Sequence, residues 1–254
     1  MNKNLATVIM AAGKGKRMKN PDKSKVMFEL SGKPMIEYVT NLALKINSDL
    51  IIPIVGHQKQ TVIDFLTDKF SSHSEKLKFA HQDQQLGTGH AVMQTEELLK
   101  NFEGNVLILS GDVPLLTYDT VKSFLDYHYS NGFKATLISA NFDNPAGYGR
   151  IIRDENRNFI DIVEDKDATP SQKDINEINS GIYIVDSALL FEALKSLSTD
   201  NAQGEYYLTD IFKFFKSKNI KIGATPVDNN IEITGINTVE QLEELEKNYI
   251  TKTN

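Results

Sequence analysis

Over the first 140 residues, short apolar runs alternate with stretches that carry one helical apolar face. Thr7–Ala12, Leu50–Val55, Leu77–Ala80, Asn105–Leu109 and Ala135–Ala140 read as strands. Between them, Ile36, Val39, Ala43 and Ile46 fall on one side of a helix. Val62–Leu66 and 88–100 fit further helices. Thr117 reads as the N-cap of another, with Val121, Phe124, Leu125 and His128 as its inner face. Such alternation predicts an α/β fold, with a mostly parallel sheet flanked by helices on both faces. Pro53 inside the second strand predicts an irregular or edge position. Ligands of such sheets sit outside the carboxyl ends of the strands. Three glycine-bearing loops follow strands there: Gly13-Lys14-Gly15, Gly56-His57 and Gly111-Asp112.

From about residue 145 the texture changes to short β-like pieces, Arg150–Arg153, Phe159–Val163 and Ile178–Val185, then helices over 187–198 and 206–218. This reads as an elaborating subdomain laid over the sheet. No Gly/Ser- or Pro-rich linker divides the halves, so residues 1–254 are expected to form a single domain.

Charge narrows the partners. The net charge is −6, yet residues 14–25 hold six basic side chains and one acidic one. An acidic surface argues against nucleic acid and anionic membranes. A local basic loop within it argues for a small, highly charged anion. The chain has no Cys, which suits a reducing, cytoplasmic setting and excludes thiol chemistry. No apolar stretch approaches the roughly 18 residues of a membrane span.

The loops carry the chemistry. Gly13-Lys14-Gly15 lets the backbone turn tightly and aim N–H groups at one anion. Its spacing is neither that of the P-loop nor that of the dinucleotide fingerprint, since position 18 is Met. That missing glycine argues against an NAD-dependent oxidoreductase. Asp112 follows a buried strand and precedes Pro114, as either a turn residue or an oxygen ligand for a hard cation. Gln82 offers donor and acceptor to a base, and Gly87-Thr88-Gly89 opens a helix. His90 reads as structural, with no Ser or Cys nucleophile indicated nearby. Asn237 is either an N-cap or an amide-oxygen ligand.

In combination these segments resemble the sugar-1-phosphate nucleotidyltransferase family. They are most similar to the N-terminal uridylyltransferase domain of the bifunctional bacterial enzymes that make UDP-N-acetylglucosamine. The motifs are AAGKGKRM (11–18), QLGTGHA (85–91), GDVPL (111–115), GYGRI (147–151), VEDKDAT (163–169), EINSGIY (177–183), QGEYYLTDI (203–211) and GIN (235–237). The resemblance implies a Rossmann-like fold of the nucleotide-diphospho-sugar transferase type. It implies a nucleotide-binding part over about 1–144 and a sugar-binding part over 145–254. The substrates would be UTP and N-acetylglucosamine-1-phosphate, and the product a cell-envelope precursor. Backbone at Ala11, Ala12 and Gly13, with Arg17 and Lys25, would hold the triphosphate. Gln82, Gly87 and Thr88 would read the base. Asp112 and Asn237 would share a catalytic Mg²⁺. Gly149, Glu164 and Asn179 would bind the sugar, with Tyr207 lining its pocket.

The chain departs from the family pattern at Lys16, usually Thr, and at Ser24, usually Pro. The Arg17–Lys25 stretch is also about one residue longer than usual. The hexapeptide-repeat β-helix that follows in the bifunctional enzymes, an acetyltransferase, has no counterpart in these residues. The alternatives are the same chemistry on another hexose-1-phosphate, or a non-catalytic nucleotide-sugar-binding regulatory domain.

Overall fold

The computed structural model describes residues 4–253. Its central sheet is built on β1 (Leu5–Ala11), whose side chains are almost all buried. Near-continuous apolar sequence is what a strand covered on both faces requires. Two strands flank β1. They belong to a chain order of β2 (Glu29–Leu30), β3 (Lys33–Pro34), β4 (Leu50–Val55), β5 (Ala80–His81) and β6 (Asn105–Ser110). β4 and β6 pair with β1 in parallel, and β5 extends β4 in parallel. β2 and β3 form a separate two-stranded hairpin.

Then follow β7 (Ala135–Asn141), β8 (Arg150–Arg153), β9 (Phe159–Val163), β10 (Glu177–Asp186) and β11 (Ile222–Pro226). The main sheet runs β11-β7-β10-β6-β1-β4-β5. β10 is antiparallel to both β6 and β7. The fold is therefore the expected mostly parallel mixed sheet. The later residues are not simply laid over it: β10 is inserted between β6 and β7, and β11 joins β7 in parallel. Only the β8–β9 hairpin leaves the main path, branching from β10 at Ile178 and Arg150.

The helices are α1 (Met35–Lys45), α2 (Lys59–Lys69), α3 (Thr88–Met93), α4 (Glu96–Leu99), α5 (Tyr118–Ser130), α6 (Pro170–Lys173), α7 (Ser187–Leu194), α8 (Ile211–Ser217) and α9 (Val239–Thr253). Alternate β1 residues serve opposite faces, as a strand's period of two demands. Leu5, Ile9 and Ala11 pack with α1, α2 and α5 through Ile36, Val62 and Phe124. Ala6 and Val8 pack with α3, α7 and α8 through Val92, Leu190 and Phe212. A third, smaller core joins Met18, Leu30 and Met35 to Ile236, Leu242 and Leu245. It seats α9 against the glycine-lysine loop.

Some expectations shift. The helix expected over 88–100 is broken between α3 and α4. Buried Thr95 donates its hydroxyl to the Val92 carbonyl at 2.7 Å, a local bond that competes with the helical ladder. The helix expected over 206–218 begins with a 3-10 turn, Leu208–Asp210, so Tyr207 precedes it. Pro53 lies one strand in from the edge. Residues 51 and 55 direct backbone bonds toward the β5 side, so the missing Pro53 N–H faces that side too. Pairing with β5 is interrupted there, between the Ile51–Leu77 bridge and Ala80. Proline is tolerated at such a gap. Among the described residues no helix is long and apolar enough to cross a membrane.

Candidate active site

β1, β4, β5 and β6 are parallel, so their carboxyl ends open at one edge. β10 runs the other way, so its start reaches that same edge. The β6–β10 register pairs Ile108 with Tyr183, which carries Asn179 beyond the end of β6. A cleft of about 290 Å³ opens there, lined by Ala11, Ala12, Gly13, Lys25, Gln82, Gly87, Thr88 and Asp112. Met10, Gln85, Ser110 and Glu205 complete much of the wall, and the sequence reading assigned none of these a role.

Four polar side chains from three separate segments converge at one end. Lys25 Nζ bonds Asp112 Oδ2 and reaches Asn237 Oδ1 at 2.7 Å. Arg17 Nη2 donates to the same Asn237 oxygen at 3.0 Å. The Lys25 and Asp112 side chains are only 14% and 21% exposed, so solvent screens their attraction weakly. Asn237 is held for this task. Its Nδ2 donates to the Gly235 carbonyl at 3.1 Å, which turns Oδ1 toward the cations. The Ile236 N–H donates to the Asp112 carbonyl at 2.9 Å, tying the two loops together.

Asn237 is not the N-cap of α9. Thr238 is: its Oγ1 accepts from the Gln241 N–H, and Gln241 Oε1 accepts from the Thr238 and Asn237 N–H groups. This reciprocal capping box frees the Asn237 side chain for the cleft.

The basic loop is ordered by one 3-10 turn, Lys16–Met18, entered through Gly15 at φ +57°. A Cβ on Gly15 would stand 2.7 Å from the Lys25 Cβ, so only glycine fits between the two strands of the loop. With three residues per turn, successive side chains diverge widely. Met18 enters the third core and Arg17 faces Asn237. Lys16 is exposed on the outer side of the loop.

At the other end of the cleft, Gln82 is buried and donates to the Gly87 carbonyl at 3.0 Å. Its amide nitrogen lies 3.2 Å from His90 Nδ1. His90 thus braces Gln82 and packs on Tyr206. Thr88 Oγ1 accepts from the Leu208 N–H at 3.1 Å.

The expected sugar residues divide. Gly149, Glu164 and Asn179 are brought together: a Cβ on Gly149 would lie 3.5 Å from Glu164 Oε2 and 3.6 Å from the Asn179 Cβ. The Asn179 amide is used internally, donating to Tyr183 Oη at 2.7 Å and accepting from the Gly181 N–H. Glu164 accepts from Thr209 Oγ1 at 2.9 Å. Burial raises the Glu164 carboxyl above the usual carboxylate range, and Asp210 and Asp167 add to it. Tyr207 donates to Asp167 Oδ2 at 3.1 Å. It lines, with Glu164, Thr209 and Lys213, a separate hollow of about 110 Å³ rather than the main cleft.

Tyr148, within the GYGRI segment, faces the Asp112 region. Burial raises its hydroxyl, with the Asp112 charge adding to this and the Gly235 backbone bonding to it.

Asp112 and Asn237 supply a carboxylate and an amide oxygen, both hard donors. Among the described residues no cluster of three or more His, Asp or Glu could cage a metal. Two protein oxygens from facing loops fit a hard divalent cation that keeps waters among its ligands.

Comparison with known proteins gives a consistent result. A family model described as nucleotidyl transferase matches residues 6–224. The bifunctional protein GlmU of Thermoanaerobacter pseudethanolicus is 49% identical over 243 residues, covering 96% of this chain and 51% of that protein. The bifunctional protein GlmU of Geotalea daltonii is 45% identical over 240 residues, covering 94% of this chain and 51% of that protein. The chain thus spans about half the length of the curated relatives it matches. The solved structure of apo UDP-glucose pyrophosphorylase superposes with a TM-score of 0.80, covering 99% of this chain and 100% of that one. At 19% identity that likeness bears on the fold alone.

Proposed function

This chain belongs to the nucleotidyl transferase family, and on that premise we propose that it transfers UMP from UTP to N-acetylglucosamine-1-phosphate. The products are UDP-N-acetylglucosamine and pyrophosphate. The observation that carries the reading is the convergence of Arg17, Lys25, Asp112 and Asn237 at one end of a cleft whose other end holds Gln82.

A phosphate oxygen of the sugar phosphate attacks the α-phosphorus of UTP. The bond from that phosphorus to the bridging oxygen breaks, and pyrophosphate leaves with the electron pair. No protein nucleophile is required, so catalysis is positioning plus charge neutralisation. Arg17 and Lys25 offset the charge on the phosphates, while backbone at Ala11, Ala12 and Gly13 seats them. Gln82, Gly87 and Thr88 hold the uracil. Gly149, Glu164 and Asn179 shape the sugar side, and Tyr207 lines the adjoining hollow with Glu164. Asp112 and Asn237 would hold Mg²⁺, which supplies neutralising charge to substrate oxygens. These substrates place the reaction in the cytoplasm.

The test supplies UTP, Mg²⁺ and a panel of sugar phosphates, and measures pyrophosphate. Turnover is expected to be fastest with N-acetylglucosamine-1-phosphate and to be abolished by Asp112→Ala with the fold intact. Binding of UDP-sugar without any pyrophosphate release would overturn the reading in favour of a sensor.

A further inference from the structure

The glycine-lysine loop has a second side. Beyond the cleft, Lys14, Lys16, Lys19, Asn20 and His57 line a hollow of about 360 Å³. None of the residues lining this hollow lines the cleft. The two spaces lie back to back, separated by Gly15 and the 3-10 turn that sends Arg17 and Lys16 in different directions.

The outer hollow is built. His57 follows β4 and its Nε2 lies 2.8 Å from the Pro21 carbonyl, which fastens the far wall to the sheet. The His57 N–H donates to the Ala12 carbonyl at 3.3 Å, fixing that wall to the end of β1 as well. The charge inside is one-sided. Lys19 is paired with Glu240 at 2.5 Å. Lys14 and Lys16 have no carboxylate partner among the described residues, and no acidic residue lines the hollow. In a chain of net charge −6, two lysines without a carboxylate partner line one concave space and give it a local attraction for anions.

We propose that this outer hollow is a second anion site that takes pyrophosphate. The choice of pyrophosphate rests on the reading of the cleft given above. The anion leaves the cleft beside Gly13 and Arg17 and is held one loop away by Lys14 and Lys16. Retention there keeps product close to the clamp and makes inhibition by pyrophosphate stronger than the cleft alone would give.

Isothermal titration with inorganic pyrophosphate, without nucleotide or sugar phosphate, tests this on three chains. The unmodified protein is expected to bind more than one equivalent. Arg17→Ala, which weakens the cleft, is expected to retain one site. Adding Lys16→Gln to Arg17→Ala is expected to weaken that site about two- to fivefold, the scale of one exposed charge contact. Lys16→Gln alone should leave kcat with UTP unchanged while raising the pyrophosphate inhibition constant. An Arg17→Ala protein that binds no pyrophosphate overturns the proposal, as does an isotherm indifferent to Lys16. Binding is read without turnover, so a failed turnover assay would remove the proposed reaction and leave the site standing.

Discussion

Asn237 concentrates the account at the scale of single residues, because one amide oxygen collects both Arg17 and Lys25. On the proposed reaction, losing either cation would remove an electrostatic contact to the reacting phosphates. Arg17→Ala and Lys25→Ala should each lower kcat about 100- to 1000-fold, read by pyrophosphate release, with the circular dichroism spectrum unchanged. Glu164 gives a stability prediction. Its carboxyl is raised above its usual 4.5, chiefly by burial. Between the unfolded and folded values the native state binds more protons, so stability falls as pH rises through that window. Glu164→Gln should therefore raise the melting temperature at pH 7, and the gain should disappear below about pH 4.5. A melting curve at each pH checks the sign. The sequence marked these side chains by their positions at strand ends. Only the resemblance separated Lys16 from Arg17; charge and spacing did not, because it is the 3-10 turn that sends adjacent cations to opposite sides. The sequence offered Asn237 as the cap and passed over Thr238, although the T-x-x-Q spacing to Gln241 carried that signal.

Elements owe their positions to a few local devices. The Thr238–Gln241 capping box begins α9 and orients the Asn237 backbone. Thr238→Ala should cost about 1 kcal/mol of stability and also lower turnover, since Asn237 loses its brace. Denaturant unfolding and the pyrophosphate assay read the two effects separately. Gly87 enters α3 at φ +112°, and a Cβ there would stand 2.5 Å from the Tyr206 carbonyl. Gly87→Ala should destabilise by more than about 1 kcal/mol and disturb the base end of the cleft first. The central strands were legible because burial on both faces leaves an almost unbroken apolar run. β11, with the sequence IGATP, was not, because an edge strand half covered by neighbours carries no such run. The break between α3 and α4 escaped because Thr95 acts through one backbone carbonyl that periodicity does not record.

The whole molecule joins its two halves through the sheet itself. β10 is antiparallel between β6 and β7, so Asn179 arrives at the edge where the parallel strands end. The sequence showed the alternation of elements but not this insertion, because β10 reads like any other apolar strand. Its antiparallel register depends on partners 36 to 81 residues away, from Glu177–Asn141 to Asp186–Asn105. The charge pattern also acts at this scale. An acidic body with a basic edge should attract UTP only near that edge, so kcat/KM for UTP should fall several-fold as salt rises from about 0.05 to 0.5 M, measured by initial rates. The central claim is the reaction itself. It is tested most directly by pyrophosphate release from UTP and Mg²⁺ across a panel of sugar phosphates. The account predicts fastest release with N-acetylglucosamine-1-phosphate, lost in Asp112→Ala. Faster release with glucose- or galactose-1-phosphate, or none with any sugar phosphate, would contradict it.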